Sequence, residues 1–301
     1  MTATIESSSK RAAKAPKNFD SVNPATGDLV GTHPIDGKAE VQAAVARARD
    51  ASVWWQEIGF DGRKEYLNAW RSLLSKRLSE LADLVHREGG KPYADALLEA
   101  GLAIDHVGWA SKHAKKVLGR SRVNPGLLMT NQLAYVEYKP LGVVGVIGPW
   151  NYPVFTPMGS IAYALAAGNT VVFKPSEFTP TVGKFLVDTF NEITHGRSAL
   201  ELVTGMGETG AFLSTSGVDK VAFTGSTATG KKVMAACAET LTPVVIEAGG
   251  KDSMIVAADA DLGEAAEAAL WCSMSNAGQT CIGTERVYVH EDVFDSFMSE
   301  L

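Results

Sequence analysis

No apolar run in this chain reaches the ~20 residues that a bilayer-crossing helix needs, so nothing in it reads as a membrane span. An excess of positive charge is also missing. Lys and Arg number 28 against 34 Asp and Glu, a net charge of −6, which leaves no electrostatic footprint for nucleic acid. Cysteine is scarce: three in 301 residues, an odd number that does not suggest a disulfide framework. A reducing cytoplasm fits that usage, and there a free thiol stays reactive. The N-terminus lacks the apolar core of a signal peptide. No set of side chains at metal-ligand spacing stands out. What remains is 46% hydrophobic and 21% charged, an ordinary globular balance with material for one or two cores.

The cysteines differ in setting. Cys237 and Cys272 lie in helix-like apolar runs and read as small core filler. Cys281 lies in Asn276-Ala277-Gly278-Gln279-Thr280-Cys281, between a helix-like run (Glu264 to Ser275) and a strand-like run (Arg286 to Val289). Its neighbours are small or polar, so the backbone presents this thiol rather than burying it.

Residues 1–18 are rich in Ser, Ala and Lys and read as a disordered tail. Asn23-Pro24-Ala25-Thr26-Gly27 is a turn signal inside a short β-prone stretch. The 3.6-residue period then predicts three helices. The first has an apolar face of Val41, Val45, Ala48 and Val53. The second is long, running from Tyr66 through Val85 to Gly89-Gly90. The third extends from about Tyr93 to Val117. Residues 122–139 turn at Asn124-Pro125-Gly126 and then alternate like a half-buried strand from Leu133 to Tyr138.

From Pro140 the rhythm is strand–helix–strand. Val143–Ile147, Thr170–Phe173, Leu200–Val203, Val221–Phe223 and Val244–Ile246 are near-continuous β-branched or apolar runs. Separated mostly by helical patterns, they predict an α/β fold whose Rossmann-like parallel sheet is covered by helices on both faces. Ligands of such sheets bind beyond the carboxyl ends of the strands. There the sequence places Gly148-Pro149-Trp150-Asn151-Tyr152-Pro153, Lys174-Pro175-Ser176-Glu177, Thr204-Gly205-Met206-Gly207-Glu208-Thr209-Gly210, Thr224-Gly225-Ser226-Thr227-Ala228-Thr229-Gly230 and Glu247-Ala248-Gly249-Gly250-Lys251. Taken singly, each has a plain reading: a turn asparagine, a polar loop, a weak Gly-x-Gly-x-x-Gly, a capped helix.

Together with Asn-x-Gly-Gln-x-Cys, these motifs resemble the aldehyde dehydrogenase superfamily, in the family's order and from about Phe19 onward. The resemblance implies oxidation of a small-molecule aldehyde to a carboxylic acid by NAD, with NADP as the alternative. It makes Cys281 the nucleophile, Asn151 an oxyanion donor and Glu247 the base that deacylates a thioester, held in a partly dry site. It places cofactor contacts at Trp150, Lys174, Ser176, Glu177, Gly207, Gly225, Ser226, Thr227 and Gly230. It places the aldehyde channel at Tyr152, Phe155, Gly159 and Ile282. Gly159 stands where semialdehyde-oxidising relatives commonly carry an arginine, so a neutral aliphatic or aromatic aldehyde is expected. Ala248 departs from the usual Glu-Leu-Gly-Gly-Lys form.

The same resemblance divides the chain into a dinucleotide-binding domain (19–121 and 140–247), an oligomerisation arm (122–139) and the beginning of a second α/β catalytic domain (248–301). A homodimer or homotetramer is expected of the complete protein. The second cofactor-ribose glutamate and the C-terminal strand of the family have no counterpart here, so the chain reads as the family's N-terminal portion. Two further readings stay open. One is a catalytically inactive fragment. The other is a cysteine hydrolase, although no histidine occupies a comparable loop. The CoA-acylating branch of the family typically lacks the base that Glu247 supplies.

Overall fold

The computed structural model describes residues 17–301. The tail read over residues 1–18 therefore lies outside the described residues, apart from its end, where Asn18 opens strand β1 (Asn18–Val22). β1 pairs antiparallel with β2 (Leu29–Pro34) around a turn in which Ala25 N–H donates to Asn23 Oδ1 at 2.9 Å.

Four helices follow rather than three: α1 (Lys38–Glu57), α2 (Gly59–Lys76), α3 (Leu78–Gly89) and α4 (Tyr93–Leu118). The long second helix breaks at Arg77, whose φ of −103° and ψ of 21° leave the helical region. No proline or glycine marks the break. Its support is partly local and partly tertiary: the Arg77 guanidinium pairs with Glu80 at 2.5 and 2.7 Å, and it lies 4.5 Å from the Phe185 ring and 3.7 Å from Glu192. Val53 is exposed, contrary to expectation, and Trp55 takes the core position, donating its indole N–H to Leu165 O at 2.9 Å.

Residues 121–136 form a small ribbon. β3 (Ser121–Val123) pairs antiparallel with β4 (Ala134–Val136), and a 3-10 turn over Leu127–Met129 tips it. Leu127 and Leu128 on that tip are 88% and 93% exposed.

The central sheet alternates with helices: β5 (Val143–Ile147), α5 (Phe155–Ala166), β6 (Thr170–Lys174), α6 (Pro180–Thr194), β7 (Leu200–Leu202), α7 (Gly207–Ser214), β8 (Lys220–Gly225), α8 (Thr227–Ala238) and β9 (Val244–Ala248). All five strands are parallel, in the order β7-β6-β5-β8-β9. Side chains alternate between faces, as the pleat requires. Val144, Val146, Val171 and Phe173 pack into a core with α2 to α6, while Val143, Ile147 and Val172 join α1, α7 and α8 on the other side.

After β9 comes a second, smaller unit: β10 (Asp252–Val256), α9 (Leu262–Met274), a 3-10 turn (Ser275–Gly278), β11 (Thr284–Val289) and α10 (Phe294–Glu300). β10 and β11 are parallel neighbours, and Val256, Ala266, Ala269 and Phe297 fill a small core beneath them. β10 has little sequence signal, because only Met254, Ile255 and Val256 of its residues are apolar.

Candidate active site

Parallel pairing aligns the carboxyl ends of the strands: Ile147 lies opposite Lys174 and Phe223, and Phe173 lies opposite Leu202. The loops singled out in the sequence therefore open along one edge. The chain runs outward from β5 to β6 and β7, then returns to the other side of β5 with β8. The crevice between β5 and β8 is thus the topological switch point, where such sheets bind ligands.

On the β8 side, Ser226 caps α8, its Oγ accepting from Thr229 N–H at 3.2 Å. Thr227 and Ala228 follow on the exposed surface, so the helix presents first-turn N–H groups and its positive dipole end to the crevice. Two glycines here let α8 pack closely on the sheet. A Cβ on Gly225 would come within 2.7 Å of the Phe223 ring, and one on Gly230 within 3.0 Å of Ile246. On the β5 side, Trp150 is exposed.

Beyond β6, the Lys174 side chain is buried, donates to Pro175 O at 3.0 Å and lies 3.6 Å from the Glu177 carboxylate. Desolvation pushes its ammonium below the ordinary lysine range, and Glu177 offsets part of that. Ser176 is buried and accepts from Phe178 N–H at 3.3 Å. Beyond β7, Thr204 is tied to Asp36 by two backbone-linked bonds of 2.7 and 2.8 Å, and Gly207 opens α7.

The second half of the site is where α9 delivers the cysteine loop. Asn276, Ala277 and Gly278 have φ values of 56°, 57° and 73°, a left-handed run that costs a non-glycine residue about 1–3 kcal/mol. Burial of Asn276 and its N–H bond to Asp95 Oδ2 (3.0 Å) hold this turn. The turn meets the 148–153 loop directly. Asn151 Nδ2 donates to Gln279 O at 2.9 Å, and Asn276 Nδ2 donates to both Asn151 O and Gln279 O at 3.1 Å. Tyr152 Oη and Thr280 Oγ1 share a hydrogen bond of 3.1 Å. Cys281 follows, exposed, its carbonyl accepting from Gly250 N–H at 3.2 Å.

The structure thus brings Asn151, Tyr152 and the cysteine loop together. It places Phe155 on the first turn of α5, its ring 6.5 Å from Tyr152 and 4.8 Å from His106. Gly159 faces the same imidazole, which lies 3.9 Å from where its Cβ would be. One expectation changes. Glu247 is exposed rather than partly dry, on the strand that ends the sheet among the described residues. Ile282 is 74% exposed, one residue beyond the thiol.

Sequence reasoning missed Lys91, Asp95, Glu99 and His106. Asp95 and Glu99 stand four residues apart on one face of α4, the spacing that puts both on the same side. That spacing was the available signal, but it does not say what the face meets. Among the described residues no group of His, Cys, Asp and Glu is placed to hold a metal. No helix there is long and apolar enough to cross a membrane.

The profile of the Aldehyde dehydrogenase family matches residues 11–301. The chain is 36% identical to 4,4'-diapolycopene aldehyde oxidase of Methylomonas sp, over 93% of this chain and 53% of that protein. It is 35% identical to D-glyceraldehyde dehydrogenase (NADP(+)) of Thermoplasma acidophilum, over 94% of this chain and 57% of that protein. The NAD+ complex of an aldehyde dehydrogenase from Bacillus cereus superposes with a TM-score of 0.89 at 33% identity, covering 94% of this chain and 58% of that one. The chain spans a little over half the length of the curated relatives it matches.

Proposed function

Because the chain belongs to the aldehyde dehydrogenase family, we propose that it is the cysteine-bearing part of an enzyme that oxidises an aldehyde to a carboxylic acid with NAD(P)+. One observation carries this reading. The Asn151 amide and the loop ending in Cys281 are 128 residues apart in the chain, yet they are joined by a 2.9 Å hydrogen bond.

In this reading the Cys281 thiolate adds to the aldehyde carbonyl. The second proton of the Asn151 amide and the Cys281 N–H then hold the oxyanion. The left-handed turn at Asn276–Gly278 presents the thiol outward, and the Tyr152–Thr280 bond steadies its far side. Burial pushes the Tyr152 phenol upward, so it stays neutral beside the thiol. The residues present fit a dinucleotide. The exposed first turn of α8, with its free N–H groups and positive dipole end, suits its phosphates, and Lys174 with Glu177 suits a ribose. A nicotinamide held there would supply the acceptor for the hydride of the tetrahedral carbon. Glu247 then takes a proton from the water that cleaves the thioester.

NAD is the assigned cofactor on the ground that Glu177 repels a 2′-phosphate, with NADP as the alternative. The Thermoplasma relative is named for NADP+ and the Bacillus structure holds NAD+. The exposed leucines at the tip of the 121–136 ribbon support an oligomerising arm, as in a homodimer or homotetramer.

For substrate we assign a neutral aldehyde with an aliphatic or aromatic tail, since Tyr152 and Phe155 supply apolar surface and residue 159 no charge. The name of the Methylomonas relative is consistent with a large apolar substrate. The test is to compare Cys281→Ala, Cys272→Ala and Cys237→Ala for aldehyde-dependent reduction of NAD+. Cys281→Ala alone is expected to lose turnover while still binding NAD+. Equal loss in a folded Cys272→Ala or Cys237→Ala defeats the assignment. A preference for succinic semialdehyde over octanal or benzaldehyde in kcat/KM defeats the substrate class.

A further inference from the structure

Lys91 and Glu99 are both 0% exposed in their side chains and pair at 2.5 Å. Taking two charges out of water costs several kcal/mol per ion, and apolar replacements of a buried pair are often neutral or stabilising. A pair like this one calls for a reason other than stability, and its remaining contacts supply one. Lys91 Nζ donates to Asn151 O at 2.6 Å and stands 4.5 Å from the Tyr152 ring centroid. Glu99 uses its other oxygen on Val154 N–H (2.8 Å) and Phe155 N–H (3.1 Å), the start of α5. The side-chain hydrogen bonds that the pair makes outside itself thus fall on the single stretch from Asn151 to Phe155.

The Asn151 carbonyl receives Lys91 from one side and Asn276 Nδ2 from the other. Asn276 Nδ2 also reaches Gln279 O, which receives Asn151 Nδ2 in turn. The bonds close a ring, with the backbone of Asn151 in one arc and the cysteine loop in the other. Asp95, one turn before Glu99 on α4, fixes the Asn276 N–H. Lys91 itself is aimed by a constrained turn. Gly90 has a φ of 68° and no room for a Cβ, which would lie 2.6 Å from Pro24.

We propose that Lys91, held by Glu99, is a positioning residue: it clamps the Asn151 carbonyl so that the Asn151 amide and the Cys281 loop keep one fixed geometry. This deepens the functional reading above and rests on it for its catalytic consequence. The clamp itself is a statement about the loop and can be measured without turnover.

Lys91→Met alone would strand a buried carboxylate and unfold part of the site, so the decisive variant is Lys91→Met/Glu99→Gln. It removes both charges together and leaves a side-chain oxygen for Val154 and Phe155. Amide hydrogen exchange is followed at Asn276 and Gln279, with β5 and β6 as the internal reference, beside thermal melting and steady-state kinetics. A clamp predicts exchange about tenfold or more faster at Asn276 and Gln279, with β5, β6 and the melting temperature close to wild type. It also predicts kcat lower by about 10–100-fold at an unchanged KM for NAD+, the scale of loss that a misplacement of about 1 Å causes.

Wild-type exchange at the loop overturns the proposal, whatever the kinetics. So does faster exchange spread evenly over β5 and β6, which would make the pair merely structural. If wild-type protein reduces no NAD(P)+ with any aldehyde, the functional reading falls, and loop exchange still decides the clamp.

Discussion

Replacing Asn151 by alanine separates a catalytic amide from a structural pin. One of its two Nδ2 protons goes to Gln279 O at 2.9 Å. That oxygen also receives Asn276 Nδ2 at 3.1 Å, so it is not orphaned by the change. The stability cost is then one ordinary hydrogen bond, about 1 kcal/mol. In a chain of this size that moves the melting temperature by only ~2–4 °C. If the second proton meets the oxyanion, the loss in kcat is about 10²–10³, or ~2.7–4 kcal/mol. The catalytic penalty is thus about threefold the structural one in free energy. Asn151→Asp is the counterpart: it keeps the shape but turns a carboxylate oxygen toward Gln279 O, so it should destabilise more than alanine while losing similar activity. NADH formation at saturating aldehyde and NAD+, read beside denaturant unfolding, gives both quantities. An alanine variant that keeps kcat within about threefold removes the amide from the transition state. A variant that loses activity only in proportion to its unfolded fraction does the same.

Ser226→Ala should cost the α8 cap about 1 kcal/mol and Ser226→Gly only a few tenths, yet both should weaken NAD+ binding alike by calorimetry; wild-type affinity in the glycine variant would place the cofactor elsewhere. Glu177→Gln should shift the affinity ratio toward NADP+ by about tenfold, since like-charge contacts are strongly unfavourable, and an unchanged ratio in a fluorescence titration would count against Glu177 as the discriminating group. His33 and His106 are both held below the ordinary histidine value of 6.5, chiefly by desolvation, with Lys184 lowering the first further and Asp105 partly offsetting the second. Between their folded-state values and 6.5 the unfolded chain binds more protons, so stability is full above 6.5 and falls as pH drops through that window. Urea unfolding at a series of pH values should show this slope, and His33→Asn/His106→Asn should flatten it; an unaltered slope would assign it to other groups.

Five strands were legible because buried parallel strands are continuous β-branched and apolar runs, and that signal is local. The loops after them were legible because ligand-facing loops at strand ends carry glycine, proline and polar residues in fixed patterns. The exposed setting of Cys281 followed from its small and polar neighbours, as burial of Cys237 did from its apolar ones, but Cys272, read as core filler on the same ground, is only partly buried because Leu270 and Trp271 beside it face outward. Other features depend on residues far away in the chain. At the helix break Arg77 pairs with the nearby Glu80, but its contacts with Phe185 and Glu192 on α6 come from far along the chain, and no proline or glycine announces the break. Trp55 rather than Val53 faces the core because it continues the helical stripe of Val41, Ala44, Val45, Ala48 and Ser52, although the carbonyl its indole meets comes from α5. Glu247 is exposed on the strand that ends the sheet, and neither its exposure nor the strand order is written in any single strand. The bond from Asn151 to the cysteine loop and the buried Lys91–Glu99 pair beside it join separate stretches of the chain. Sequence alone set the elements and the chemistry available at their ends, since both depend on neighbours along the chain. Only the tertiary structure decided which of those groups meet and which lose water, because hydrogen-bond geometry and desolvation are properties of what packs alongside.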